Sequence, residues 1–426
     1  MNQTHEWIRH GFDAVMMTTF ILSSAYFLLT IITLILRRRN VLLVGQNNPA
    51  EFPRITVQIP TYNELAALNC AARCLDFDYP ENRIQILIGD DSNKPEISAQ
   101  INAFAAERPR VKVCRRGNNA GFKPGNLNHM LEQTTGDFIL ILDSDFLPER
   151  DFLRRLVQPV IKNPSLAGVQ AAWRIANVHQ NHTTLMGAGI INVIHIIILP
   201  FIKRFAHTGV FCGSAELVRK DLLIENGGWT PGALTEDVDY SLRVIAAGKH
   251  IVYLEDLHCV CEVPHTPRDL FRQQMRWAYG VMRAFMNHGR KLILSRLTRT
   301  RTKFAAICFG GGYVMVTCFI LTTLFGILNI ASAWGIEPVG VPYTFTALLF
   351  DTTSSFLLTC GMLISSLCAS FVAGFSLRNV GKLVLASLSI GFVLVFFVGK
   401  GLFKAAVGLP MQWFMVRKNG NALRIA

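Results

Sequence analysis

Apolar and polar positions divide this chain of 426 residues into three stretches. Ala14 to Leu36 is an uncharged run rich in Met, Phe, Ile and Leu. At about 1.5 Å of rise per helical residue it can cross a hydrocarbon core of about 30 Å. From about Pro53 to Arg283 the apolar residues fall into short blocks separated by polar clusters, as in a water-soluble domain with its own core. Long apolar runs then return: Phe304 to Trp334 is uncharged, Tyr343 to Leu377 carries only Asp351, and Leu383 to Gly399 lies between Lys382 and Lys400. The first two of these predict spans, and the third predicts either a span or a re-entrant hairpin.

Charge gives the runs an orientation. Arg37, Arg38 and Arg39 follow the first run, whereas a cleaved leader carries its charge in front, so residues 1–40 read as a retained transmembrane anchor. The positive-inside rule then places the following domain, residues 53–284, in the cytosol. Between the spans of the 304–410 segment, residues 335–342 hold Glu337 and no Lys or Arg, as an outside loop should. Arg417, Lys418 and Arg424 ask for a cytosolic 411–426 tail, which favours the hairpin reading of Leu383 to Gly399. Leu185 to Ile202 is uncharged but interrupted by Asn192, His195 and Pro200, and reads as an interfacial or buried helix. Gly289 to Lys303 carries six basic residues and no acid, so residues 285–303 read as a basic interfacial helix facing anionic lipid.

Inside the central stretch, Ile55 to Pro60, Ile84 to Gly89, Val111 to Cys114 and Phe138 to Leu142 have strand character, and Leu65 to Leu75 has helical character. Alternating strands and helices predict an α/β domain whose parallel sheet is covered on both faces. Polar clusters lie just past the strand C-termini, where such sheets bind ligands.

Composition sharpens the picture in two ways. With 51% hydrophobic and 17% charged residues, the chain is more apolar than a purely soluble enzyme of this size should be. The net charge of +13 suits a membrane face or phosphorylated ligands better than nucleic acid, because the densest basic cluster directly precedes a span. The ten cysteines lack zinc or disulfide spacing and read as buried thiols in a reducing compartment.

Four clusters carry candidate chemistry. Asp143-Ser144-Asp145 places two carboxylates on one turn after a strand, able to hold Mg²⁺ or Mn²⁺ and leave positions for phosphate oxygens. Lys123-Pro124-Gly125-Asn126-Leu127-Asn128 supplies a cation and a tight turn for a diphosphate, or an ordinary turn. Thr235-Glu236-Asp237 is either a helix-capping cluster or a catalytic carboxylate pair, the helix starting near Val238. Gln273-Gln274-Met275-Arg276-Trp277 is either the polar start of a membrane-bound helix or a binding signature.

Taken with Pro60-Thr61-Tyr62-Asn63-Glu64, Asp90-Asp91 and Phe211-Cys212-Gly213-Ser214, this ordered set resembles the membrane-integrated family 2 glycosyltransferases, which include cellulose, hyaluronan, chitin and mannan synthases. The resemblance covers nearly the whole chain. It implies a GT-A-like nucleotide-sugar-binding domain with a mixed, mainly parallel sheet, flanked by transmembrane α-helices. It implies that Asp91, ahead of Asp90, binds the nucleotide base with Tyr62 and Glu64 in the same pocket, and that Lys123 contacts the diphosphate. Asp143 and Asp145 would hold the metal, Asp145 more directly. Asp237, beside Glu236, would be the catalytic base. Gln273, Arg276 and Trp277 would bind acceptor and leaving diphosphate, and Phe211, Cys212, Gly213 and Ser214 would line the acceptor path. Family members that gate their site use a Phe-x-Val-Thr-x-Lys loop, from which Trp413-Phe414-Met415-Val416-Arg417-Lys418 departs at the Thr and Lys positions.

The implied protein is a processive, inverting synthase that builds a β-linked polysaccharide from a nucleotide sugar and threads it across the membrane. UDP-glucose stands first as donor and GDP-mannose second; Val169 to Trp173 resembles the mannan and glucan branch. Its partners would be the donor, the growing polysaccharide, membrane lipid and subunits of an export complex, with no nucleic acid, in a bacterial inner membrane. A non-processive glycolipid transferase and a non-catalytic channel or assembly subunit are the other readings.

Overall fold

The computed structural model describes residues 3–37, 52–332 and 360–414. The domain is organised by seven strands in the order β3-β2-β1-β4-β6-β5-β7. They are β1 (Ile55–Thr61), β2 (Ile84–Asp90), β3 (Val111–Cys114), β4 (Phe138–Ile141), β5 (Gly168–Ile175), β6 (Glu216–Arg219) and β7 (Ile251–Cys261). β1 pairs in parallel with β2 and β4, β2 with β3, and β5 with β7, while β6 runs antiparallel to both β4 and β5. The sheet is therefore mixed and mainly parallel. One reversed strand between two parallel groups has a geometric consequence: the C-terminal ends of β1, β2, β4, β5 and β7 and the N-terminal end of β6 share one edge.

Period-2 side-chain alternation fills a core on each face. Ile86 and Ile88 of β2 and Leu140 of β4 join one core, and Leu87, Ile139 and Ile141 join the other. The covering helices are α2 (Ala66–Leu75), α3 (Pro95–Ala106), α4 (Phe122–Glu132), α5 (Phe152–Leu156), α6 (Gln158–Lys162), α8 (Lys220–Glu225) and α9 (Glu236–Ala246). Lys123 to Asn128 is no turn but the start of α4: the turn sits one step earlier, at Gly121 with φ +68, and Pro124 is tolerated in the first helical turn. Likewise α9 begins at Glu236, two residues ahead of Val238.

Among the described residues four helices are long and apolar enough to cross a membrane: α1 (Gln3–Ile35), α7 (His182–Ala206), α11 (Thr300–Ser332) and α13 (Leu377–Ala406). A shorter apolar helix, α12, covers Gly361–Val372. α1 packs along α11 and α12. α7 bends through a π-helical turn at Val193–Ile198, packs against α11, α12, α13 and β7, and has 72% of its most apolar window inside the protein.

Three expectations change. Leu383 to Gly399 is no hairpin; it lies within α13, which passes through a π-helical turn at Ser387–Gly391 without reversing. The run ending at Leu377 is not one helix, because α12 stops at Val372 before Gly374 (φ +93) and Ser376 caps α13. Its earlier part, residues 343–359, lies outside the described residues, as do Arg38, Arg39, Glu337 and the tail from Met415. Finally, residues 285–303 are not a separate helix. Helix α10 (Pro267–Leu294) ends there, and a turn over residues 295–299 leads into α11. The turn is tied down by Ser295 and Thr298, whose hydroxyls donate to the carbonyls of Ala246 at 2.7 Å and Ile245 at 2.6 Å. Ile293, Leu294 and Leu297 remain exposed among the basic residues. Six of the ten cysteines are buried, and Cys212, Cys308, Cys360 and Cys368 are half-buried.

Candidate active site

The shared strand edge opens into a cavity that brings together most of the residues singled out in the sequence. Tyr62, Glu64, Asp91, Lys123, Asp143, Asp145, Cys212, Gly213, Glu236, Asp237, Gln273, Arg276 and Trp277 all line it. Asp90, Phe211 and Ser214 do not. Asp90 lies fully buried behind Asp91, taking hydrogen bonds from Ser92, Ser98 and Arg115. Burial opposes its ionisation, but these bonds prevail and hold its carboxyl below the usual range. Phe211 is a core residue, its ring stacked on Tyr240 at 5.9 Å.

One side of the cavity is aromatic and cationic. Asp91 accepts from Arg116 Nε at 2.9 Å and Nη2 at 2.6 Å, a two-pronged pair. Beside it Trp413 stacks on Phe122 (6.3 Å, 19°) and meets the Tyr62 ring edge-on at 6.0 Å. Glu64 accepts from the Ser144 hydroxyl, tying this side to the turn after β4.

At the centre, Lys123 Nζ lies 2.8 Å from Asp143 Oδ1 and 2.9 Å from Glu236 Oε1, and donates to the Gly213 carbonyl. Burial alone would lower the Lys123 pKa, but Asp143 and Glu236 outweigh it and raise it, so the ammonium stays charged. Asp237 is only 9% exposed. Burial, then Glu236, push its pKa up to about 7 against the pull of Lys123. That is the range in which a carboxylate works as a general base at neutral pH.

The Cys212–Ser214 turn fixes these groups. Cys212 N–H donates to Gln170 Oε1 at 2.8 Å, Gly213 N–H to Glu216 Oε2 at 2.9 Å, and Asp143 N–H to Ser214 Oγ at 2.9 Å. Gly213 has φ +87, and a Cβ there would come within 3.3 Å of Asp237 Oδ2. Glu216 is fully buried; burial, then Asp237, hold its pKa well above the carboxylate range. Gln170, Glu216 and Arg116 escaped the sequence reading. Their signal was a polar side chain inside an apolar strand, at Gln170 and Glu216, which demands a buried partner.

Arg276 projects from α10, donates through Nη1 to the Leu234 carbonyl at 3.1 Å, and leaves its buried Nε without a partner. Asp143 and Asp145 follow β4; Asp145 is 2% exposed and accepts the Glu262 N–H at 3.1 Å. Among the described residues no three His, Cys, Asp or Glu side chains cluster as a closed metal site. An open pair of carboxylates, one already facing the Lys123 cation, fits a hard divalent ion completed by phosphate oxygens and water.

Sheet and edge site together define a GT-A-like glycosyltransferase fold. Residues 53–280 match the family described as Glycosyltransferase like family 2, and the chain belongs to it. Glucomannan 4-beta-mannosyltransferase 2 of Arabidopsis thaliana is 30% identical over 271 residues, covering 61% of this chain and 49% of that protein. Glucomannan 4-beta-mannosyltransferase 7 of the same plant is 33% identical over 242 residues, covering 54% and 43%. The chain thus spans about half the length of the curated relatives it matches. A structure titled mannosyltransferase PcManGT from Pyrobaculum calidifontis in complex with GDP-Man and Mn²⁺ shares the fold at TM-score 0.61 and 19% identity, over 86% of this chain and 99% of that one.

Proposed function

We propose that this enzyme is an inverting mannosyltransferase that uses GDP-mannose to extend a β-linked glycan, with Mn²⁺ or Mg²⁺ as cofactor. The observation that carries it is Asp237, a buried carboxylate with a pKa of about 7, set beside Lys123 and the Asp143–Asp145 pair. The sequence put UDP-glucose first; the named activity of the relatives and the GDP-Man complex move GDP-mannose ahead of it.

In the proposed reaction Tyr62, Asp91, Phe122 and Trp413 hold the nucleotide, and Lys123 and Arg276 face its diphosphate. Asp143 and Asp145 would hold the divalent ion, which would supply positive charge to the leaving diphosphate. An acceptor hydroxyl attacks the anomeric carbon as the carbon–oxygen bond to phosphate breaks, and Asp237 takes the hydroxyl proton. A single displacement converts an α-linked donor into a β-linked product. Lys123 and Arg276, fixed before the charge develops, stabilise the departing nucleoside diphosphate.

The membrane part of the proposal rests on α1, α11 and α13, with the catalytic domain on the cytosolic side where Arg37 follows α1. Product export through these helices belongs to the same proposal.

The test is product formation by purified protein in lipid with radiolabelled GDP-mannose and, separately, UDP-glucose, each with Mn²⁺. Expected is insoluble label from GDP-mannose that resists organic extraction and is lost in Asp237→Asn. Label that extracts wholly into solvent would replace the polysaccharide by a glycolipid, and no nucleotide release from either donor would refute the enzyme reading.

A further inference from the structure

The cavity is also lined by residues at the β5 and β7 side of the sheet that the proposed reaction does not use. Trp173 and Ile175 of β5, Glu262 and Val263 just beyond β7, and Ile191 and His195 of α7 form this lining. The nucleotide side follows β1 and β2, whereas β7 lies four places beyond β1 in the sheet. At about 4.8 Å between strands that separation is about 19 Å. In the sheet order β5 and β7 thus lie beyond β4, whose following turn carries Asp143 and Asp145, from the strands of the nucleotide side.

Within the cavity, Glu262 is only 6% exposed, and its Oε2 has no hydrogen-bond partner. Its own N–H grips Asp145, so the backbone that presents the side chain is fixed. The surrounding Ile175, Ile191 and Val263 offer no donor. An enclosed carboxylate oxygen without a donor is costly, and hydroxyl groups of a ligand would relieve it. A shared metal does not explain it, since Glu262 forms no three-carboxylate cluster with Asp143 and Asp145. The same cavity is lined by Trp173, whose ring centroid lies 5.0 Å from that of His195. The Trp173 indole is pinned by its N–H to the Ser214 carbonyl at 3.1 Å and by the Phe146 ring edge-on at 5.1 Å. Hydroxyl donors on one side and an apolar face on the other describe a sugar ring. A lipid tail would leave Glu262 unpaired, and a phosphate would be repelled by it.

We propose that Glu262 and Trp173 form a subsite for the acceptor glycan, in which Glu262 accepts hydrogen bonds from ring hydroxyls and Trp173 supports the apolar face of the same sugar. The subsite presents the chain end to Asp237. It rests on the glycan-extending reading above and adds the residues that select the acceptor.

The experiment is calorimetric binding of β-1,4-mannotetraose to the full chain in lipid nanodiscs without donor, with GDP plus Mn²⁺ titrated on the same samples. Glu262→Ala and Trp173→Ala should each weaken mannotetraose binding by about tenfold or more, and Glu262→Gln by less, because its amide oxygen still accepts. Retained GDP binding in these variants shows Asp145 and the nucleotide side still in place. Unchanged mannotetraose affinity in Glu262→Ala overturns the subsite. So does parallel loss of GDP and mannotetraose, which would make Glu262 a support for Asp145. Wild-type protein that binds GDP and consumes donor but takes only a lipid acceptor also overturns it, while leaving the transferase reading intact. Wild-type protein that neither binds GDP nor consumes donor overturns that reading itself.

Discussion

Replacing Glu216 separates scaffold from chemistry at this site. Two cations, Lys123 and Arg276, face four carboxyls, Asp143, Glu236, Asp237 and Glu216, and the deepest of these is Glu216. Burial, then Asp237, raise its pKa and so favour the neutral acid, a form that still accepts the Gly213 N–H. Glu216→Gln exchanges one neutral group for another of the same shape, so kcat and donor KM should stay within about threefold of wild type. Glu216→Ala leaves the Gly213 N–H buried and unpaired, a loss of about 1–3 kcal/mol. It also loosens the turn that positions Lys123 and Asp143. At about 1.4 kcal/mol per factor of ten, kcat/KM should fall by roughly ten- to a hundredfold. An ionised Glu216 acting as the base would instead make Glu216→Gln lose about 10²–10⁴ in kcat, the loss expected of Asp237→Asn. GDP release from GDP-mannose with Mn²⁺ near neutral pH measures all three variants. A Glu216→Gln enzyme as slow as Asp237→Asn refutes the neutral-scaffold argument.

Further outcomes are expected. As the proposed base Asp237 must be deprotonated to act, and its pKa is pushed up to about 7, so kcat/KM should fall below about pH 7, by about tenfold per pH unit well below it. Glu236→Gln removes a like charge and should move that limb to lower pH; a limb that stays put in the variant argues that another group controls the rate. Gly213→Ala places a side chain at φ +87, at about 1–2 kcal/mol, with its Cβ 3.3 Å from Asp237 Oδ2. Both melting temperature and kcat should drop, and wild-type kcat would mean the turn does not position Asp237. Trp413→Ala removes the ring stacked on Phe122 and should weaken GDP binding by several-fold in a titration. Unaltered affinity would place the base elsewhere.

Strands β1 to β4 were legible to within about a residue, because each is a short apolar block closed by polar residues and the two cores take alternate side chains. The edge carboxylates were legible for the same reason. What escaped notice depends on partners far away in sequence. Gln170 and Glu216 become scaffold only because the reversed β6 pairs them across strands, and Phe211 turns inward only because Tyr240 waits there. The turn at residues 295–299 was hidden because basic and apolar residues keep a helical rhythm across it. The break is imposed by Ser295 and Thr298 reaching back to α9.

Helix α10 can also be viewed as a mechanical lever. Arg276 stands 18 residues before Leu294, about 27 Å along one uninterrupted rod that passes through a short turn into α11. Beside Arg276, Gly401 of α13 rests directly against the Met275 backbone. Two of the long apolar helices thus hold this rod, one at its far end and one beside Arg276. A change in their tilt of only about 5° moves Arg276 by about 2 Å, where a misplacement of about 1 Å can cost a hundredfold in rate. In a membrane, the thickness of the bilayer would enter the rate constant as directly as any side chain in the pocket.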